Sequence, residues 1–187
     1  MENMFYCSSC EELHDTKIIE KEQTLSVKGK NITLAVRIRV CQECGEEILD
    51  EELDNETLSR FYDEYRRLEN LLLPSEIKTI RQRYNLSQSS FAKLLGFGEK
   101  TITRYENGAI QDACHDNLIR LMDSWESFVL IWKERKDVLS EKEQLCIDCK
   151  VSMYNKFKIK SIYTDVPQYY TTSNIIYSTQ GGLGNAG

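Results

Sequence analysis

Two cysteine pairs, Cys7/Cys10 and Cys41/Cys44, each with two residues between its members, are the groups in this chain best suited to chemistry. Thiolates are soft donors that favour zinc or iron, and the two-residue spacing lets both sulfurs of a pair reach one ion. Two such pairs fill a tetrahedron. A filled tetrahedron leaves no position for water or substrate, so the predicted site is structural, one Zn2+ per chain, contributing on the order of 10–16 kcal/mol to folding. Spacing alone also admits unligated buried thiols, or a redox or iron site. For a third pair, Cys146/Cys149, the balance reverses: no partner pair follows and His14 and His115 are the only histidines, so it reads as unligated thiols rather than a metal site, and Cys114 reads as a plain thiol.

The second constellation is LSQSSFAKLLGFGEKTITRYENG, residues 86–108, which reads as a helix-turn-helix. Ser87 is a good N-cap for a short helix, Gly96-Phe97-Gly98 forms the turn, and the second helix carries polar and basic groups. Lys100 and Arg104 are four apart and so share one face with Thr101 and Thr103 nearby. Arg or Lys on such a face hydrogen-bonds guanine O6 and N7 in the major groove, and Ser87, Gln88 and Lys93 are placed to meet phosphates. Glu106 is expected to serve structure, because an acid facing DNA is repelled. The alternative is a helical hairpin whose Lys100 and Arg104 are merely solvated.

Charge is divided along the chain in the same sense. The overall net charge is −6. Residues 1–74 carry 9 basic and 17 acidic side chains, net −8. Residues 75–110 carry Lys78, Arg81, Arg83, Lys93, Lys100 and Arg104 against Glu76, Glu99 and Glu106, net +3. This asymmetry fits a double-stranded DNA reader attached to an acidic module that faces another protein.

These groups need scaffolds, and 187 residues suffice for two small domains. Thr16–Val27 and Asn31–Val40 read as strands joined at Lys28-Gly29-Lys30, with Leu34, Val36, Ile38 and Val40 alternating against Thr33, Ala35, Arg37 and Arg39. Pairing centred on Gly29 puts Cys41 opposite Lys17, and Glu11–Asp15 must then fold back to deliver Cys7 and Cys10. From Asp54 the apolar residues Leu58, Phe61, Tyr62, Tyr65, Leu68 and Leu72 predict an amphipathic helix capped by Asp54 or Asn55 and ended by Pro74. It packs on the zinc module or bridges the two domains. Five helices follow, at about Ser75–Tyr84 (with Ser75 as cap), Ser87–Leu94, Glu99–Asn107, Asp116–Ser124 and Trp125–Asp137. Ile77, Ile80, Leu86, Ala92, Leu95, Ile102, Leu118 and Leu121 are their predicted core.

The expected fold class is therefore α+β, a small β-hairpin zinc-knuckle domain followed by an all-α five-helix domain. The boundaries are 1–53 for the zinc module, 54–74 for a linker helix, 75–139 for the helix-turn-helix domain and 140–187 for a tail of unassigned structure. The last residues of that tail are expected to be disordered. MENMFYCSSC lacks the basic flank and apolar run of a secretory signal, and no stretch approaches the roughly 20 apolar residues of a membrane span. A cytoplasmic chain is expected. Seven cysteines in a reducing compartment read as ligands or thiols, and an odd number does not pair off within one chain. Neither half holds the parts of a catalytic apparatus, and a redox enzyme built on Cys-x-x-Cys lacks its βαβ setting.

The two cysteine pairs with their thirty-residue gap, the segment GFGEKTITRYENG and the zinc-first order resemble the MqsA antitoxin family of YgiT-type zinc-finger/helix-turn-helix proteins, over about residues 5–135. The resemblance implies an Xre-type helix-turn-helix and a type II toxin–antitoxin role. In such proteins the zinc domain binds and neutralises a small toxin, often an mRNA-cleaving one. The second domain forms a homodimer that represses the shared operon at a palindromic operator. Carried over, Cys7, Cys10, Cys41 and Cys44 are the ligands, and base reading falls on Arg104, which matches, and on Lys100, where family members carry Asn. A stand-alone zinc-containing transcription regulator without a toxin is the competing reading.

Overall fold

The computed structural model describes residues 4–164, with side chains to residue 156. The chain divides after Gln144 into two compact units. The first opens with four antiparallel strands in sequence order: β1 (Met4–Cys7), β2 (Glu12–Val27), β3 (Lys30–Cys41) and β4 (Glu47–Ile48).

The long β2–β3 hairpin closes on Val27 opposite Lys30, with Lys28 at φ 46° and Gly29 at φ 84°. Two successive residues at positive φ make the two-residue turn whose twist matches the flanking strands. Lys30 thus belongs to the ladder, and the register sits one residue from that expected of a turn centred on Gly29. Cys41 lies opposite Thr16, not Lys17. Glu11–Asp15 is not a returning loop either: β2 starts at Glu12, and β1 pairs with it, Cys7 opposite Glu12.

Helix α1 (Glu51–Leu68) begins a turn before the expected cap. Asp50 caps it, Oδ1 accepting from the backbone N–H of Glu52 at 3.1 Å and Leu53 at 3.2 Å. Glu51, Glu52 and Asp54 fill the first turn, where acidic groups suit the positive end of the helix. Phe61 and Tyr65 pack against Val27, Ile32 and Val36 of the hairpin. Three ion pairs fasten β3 to the same helix: Lys30 with Glu69, Arg37 with Glu56, and Arg39 with Asp50 at 2.7 Å.

Pro74 does not end this helix. Asn70 at φ 53° follows it, and Pro74 is the first residue of α2 (Pro74–Arg83), where its missing N–H costs no hydrogen bond. Leu73, not Ser75, is the cap residue, and its N–H donates to Glu76 Oε2 at 2.7 Å. Leu72 lies in the connection, buried, its N–H donating to Asp116 Oδ1 at 2.8 Å.

The remaining helices are α3 (Gln88–Leu95), α4 (Thr101–Glu106), α5 (Ala113–Leu121) and α6 (Trp125–Arg135), with a 3-10 turn at Lys136–Val138. Their core includes Ile77, Phe91, Ala92, Leu94, Ile102, Ile119, Phe128 and Trp132. The Tyr84 ring stacks on Phe128 at 3.6 Å and meets Trp125 edge-on at 5.0 Å. Its hydroxyl donates to the Met122 carbonyl, and burial pushes its pKa up to about 12. Leu121, expected in the core, is 56% exposed; the buried side of α5 runs instead through Asp116 and Ile119 to Met122 at its end, residues three apart on one face. A last helix, α7 (Glu141–Thr164), occupies the first part of the tail. The expectation of disorder at the C-terminus lies outside the described residues. Among the described residues no helix is long and apolar enough to cross a membrane.

Candidate metal centre and basic helix face

The two cysteine pairs sit in matching turns. In the first, Glu11 N–H donates to the Cys7 carbonyl at 2.9 Å; in the second, Gly45 N–H donates to the Cys41 carbonyl at 3.0 Å. Both donors are left-handed, Glu11 at φ 59° and Gly45 at φ 76°. Glycine adopts that region freely, whereas a side chain such as Glu11 pays about 1 kcal/mol for it. The hairpin register carries Cys41 alongside Thr16, and β1 pairing carries Cys7 to the same end of the sheet. All four Sγ atoms lie within 4.8 Å of one another, with Cys7 and Cys44 at 3.5 Å. A tetrahedral zinc with bonds of about 2.3 Å has sulfur–sulfur edges of roughly 3.8 Å, so the donor set fits such an ion.

Cys7 and Cys41 are buried, Cys10 is half-buried and Cys44 is exposed. The Cys10 backbone N–H brings the Cys7 thiol down to about 7 against the effect of burial. Cys10 itself, sharing its proton with Cys44 and packed beside Cys7, is pushed up to about 12. Thiols this close resist ionising together unless a cation sits among them. Zinc would supply that charge and close the sheet end, with no coordination position left for catalysis.

Arg39 braces this end. Its guanidinium donates to Asp50 Oδ2 at 2.7 Å and Thr16 Oγ1 at 2.9 Å, and lies 4.0 Å over the Phe5 ring. Thr16 is fully buried. Sequence reasoning placed Arg39 only as an outward residue of the alternation, since nothing in the chain order links it to Phe5 or Asp50.

The predicted DNA-facing residues fall into two groups. Ser87 caps α3, accepting from Ser90 N–H at 3.0 Å. Gln88 is turned inward, donating to Glu106 Oε2 at 2.8 Å and accepting from Thr103 Oγ1 at 3.0 Å. Arg81 grips both oxygens of Glu106, at 2.6 and 2.8 Å, so Glu106 locks α2 to α4. Burial raises the Glu106 pKa, but Arg81 and Gln88 outweigh it and hold the carboxyl below its ordinary range.

Lys93, Lys100 and Arg104 are exposed, and Thr101 is half-buried. Lys100 stands at the cap position of α4, four residues before Arg104, so the two share a side. Lys93 Nζ is 3.7 Å from Glu99. Arg104 borders a groove of about 1060 Å3, also lined by Leu58, Tyr62, Pro74 and Ile110. The acids lining that groove, Asp63 and Glu106, are held by Arg66 and Arg81, which leaves Arg104 without a competing carboxylate among the described residues.

No curated protein matches the chain. Residues 4–134 match the family described as the antitoxin component of bacterial toxin-antitoxin systems, MqsA. That span contains the four-cysteine centre, the sheet, α1 and the helices to α6. The match covers most of the sequence, and its cysteines are placed to bind one metal ion: the chain belongs to the MqsA antitoxin family.

Proposed function

We propose that this chain is the zinc-containing antitoxin of a type II toxin–antitoxin pair, a cytoplasmic homodimer that represses its own operon. The α3–α4 segment acts as the helix-turn-helix, with α4 entering the major groove of a palindromic operator. Lys100 and Arg104 read bases there, Lys93 meets a phosphate, and Gln88 and Thr103 position α4 through Glu106. The toxin docks on the zinc-held sheet. Tyr6 and Leu13 lie opposite each other on β1 and β2, 59% and 60% exposed, and Met4 is 51% exposed. Exposed apolar residues grouped beside a rigid metal centre suit a protein partner.

The observation that carries this reading is the pairing, within one family-matched span, of a closed four-cysteine centre with a helix whose exposed Arg104 makes no ion pair among the described residues. The test is co-expression of the tagged chain with the product of the adjacent gene, followed by titration against the operon's promoter DNA. A small protein that co-elutes, together with promoter binding, supports the antitoxin. Promoter binding with no neighbouring partner gives the stand-alone regulator instead, and absence of both overturns the reading.

A further inference from the structure

The Cys146/Cys149 pair is absorbed by nothing above. Both thiols are free and exposed, and both lie on α7, three residues apart. At 100° per residue, Leu145, Cys149, Met153 and Cys146 fall within about 100° of arc on one side of the helix. All four are exposed, Leu145 at 74% and Met153 at 56%. Ile147 and Val151, on the opposite side, are buried. The helix thus shows an outer face with two soft donors between two bare apolar side chains.

Residues three apart on a helix have Cβ atoms about 5–6 Å apart, within reach of one ion through their sulfurs. Two thiolates are half of a tetrahedral set. The four-cysteine centre is the one cluster of three or more metal-ligating groups among the described residues, so none of them supplies the missing half within the chain. A second copy has the same pair on the same face. Two-fold pairing of α7 helices brings four thiolates together and covers Leu145 and Met153 in the same step, as isologous contacts do.

We propose that Cys146 and Cys149 are half of a second metal site, completed by the same two residues of a second copy, which binds Zn2+ or a similarly thiophilic divalent ion. The site joins two α7 helices and is separate from the ion held by Cys7, Cys10, Cys41 and Cys44. Binding releases the thiol protons to solvent and involves no change of oxidation state.

The test uses the full chain, purified with reductant and dialysed after exposure to Zn2+. Elemental analysis should give about 1.5 ions per chain, falling to about 1.0 in Cys146→Ser/Cys149→Ser, and native mass spectrometry should show two chains carrying three ions. Leu145→Lys/Met153→Lys keeps both thiols but sets like charges against each other, and should also fall to about 1.0. Equal metal content in wild type and the double serine variant overturns the proposal. So does a wild-type content of two ions per chain, or a lysine variant that keeps the extra half ion. None of these readouts involves DNA or a toxin, so the outcome is independent of the proposed antitoxin role.

Discussion

The buried guanidinium of Arg66 reaches from α1 to the carbonyl oxygen of Gly108, 2.7 Å away, just beyond the end of α4. Its Nη1 also meets Asp63 at 2.9 Å, and its Nε lies 3.5 Å from Gln111 Oε1. Because Phe61 and Tyr65 of the same helix pack on the hairpin, Arg66 connects the sheet side of this unit to the helix with the exposed basic residues.

Arg66→Met keeps the apolar stem and removes these charge-assisted bonds, leaving the Gly108 carbonyl without its donor. A loss of about 2 kcal/mol is expected, the usual scale for hydrogen bonds to a charged group. Arg67→Met, one residue on and 62% exposed beside Glu64, should cost under about 0.5 kcal/mol. Urea unfolding of the two variants makes the comparison, and equal losses would show that Arg66 is not a clamp.

Removal of Glu106 should be costly in a pH-dependent way. Glu106→Gln leaves Arg81, only 11% exposed, without its carboxylate, and about 3 kcal/mol should be lost at neutral pH. The folded-state pKa of Glu106 lies below the ordinary value, so its contribution is fully present above the unfolded pKa of about 4.3 and disappears as pH falls through the folded value. The gap between wild type and variant should therefore close below about pH 4. Loss of zinc in acid affects both proteins and drops out of the difference. A gap that stays constant to low pH would mean that the charge of Glu106 contributes little.

Cys41→Ser should abolish metal binding at the four-cysteine centre and loosen the end of the sheet while the helices from α2 to α6 stay folded. The chain's two tryptophans, Trp125 and Trp132, both lie on α6, so their fluorescence reports the helical side alone. Elemental analysis should show the lost ion and tryptophan emission should stay native. Emission shifted to that of exposed indole would show that the two sides fold only together.

What was legible in the sequence followed the type of signal. The cysteine spacing, the Ser87 cap and the Gly96 turn are local, and the structure places each as read: the sulfurs cluster, Ser87 accepts from Ser90, and Gly96 is left-handed at φ 78°. Register and helix boundaries depend on alternatives that sequence weighs poorly. Lys28-Gly29 closes a two-residue turn where a three-residue one was read, and Pro74 starts a helix as readily as it stops one. Long-range partners left no local trace. Arg66 looks like a polar residue on a helix, and only the fold brings Gly108 and Gln111, more than forty residues on, against it.

The two basic groups proposed to meet DNA should fail differently. Arg104 is exposed on α4, and the acids lining its groove are already held by Arg66 and Arg81. If it reads a guanine through two hydrogen bonds, Arg104→Ala should cost about 1–3 kcal/mol at the operator and relax preference at one base position, with scrambled duplex affected far less. Lys93 sits on α3, exposed and only loosely paired with Glu99 at 3.7 Å, so little intramolecular energy is lost when it turns to a phosphate. Lys93→Ala should weaken operator and scrambled DNA alike and lower the slope of log affinity against log salt by about 1. Neither side chain contributes to the cysteine centre or the hairpin core, so metal content and toxin capture should persist in both variants. Titration of each variant against both duplexes at several salt concentrations separates the roles. Equal losses on the two DNAs for Arg104→Ala would reassign it from bases to backbone, and an unchanged salt slope for Lys93→Ala would take α3 off the phosphates.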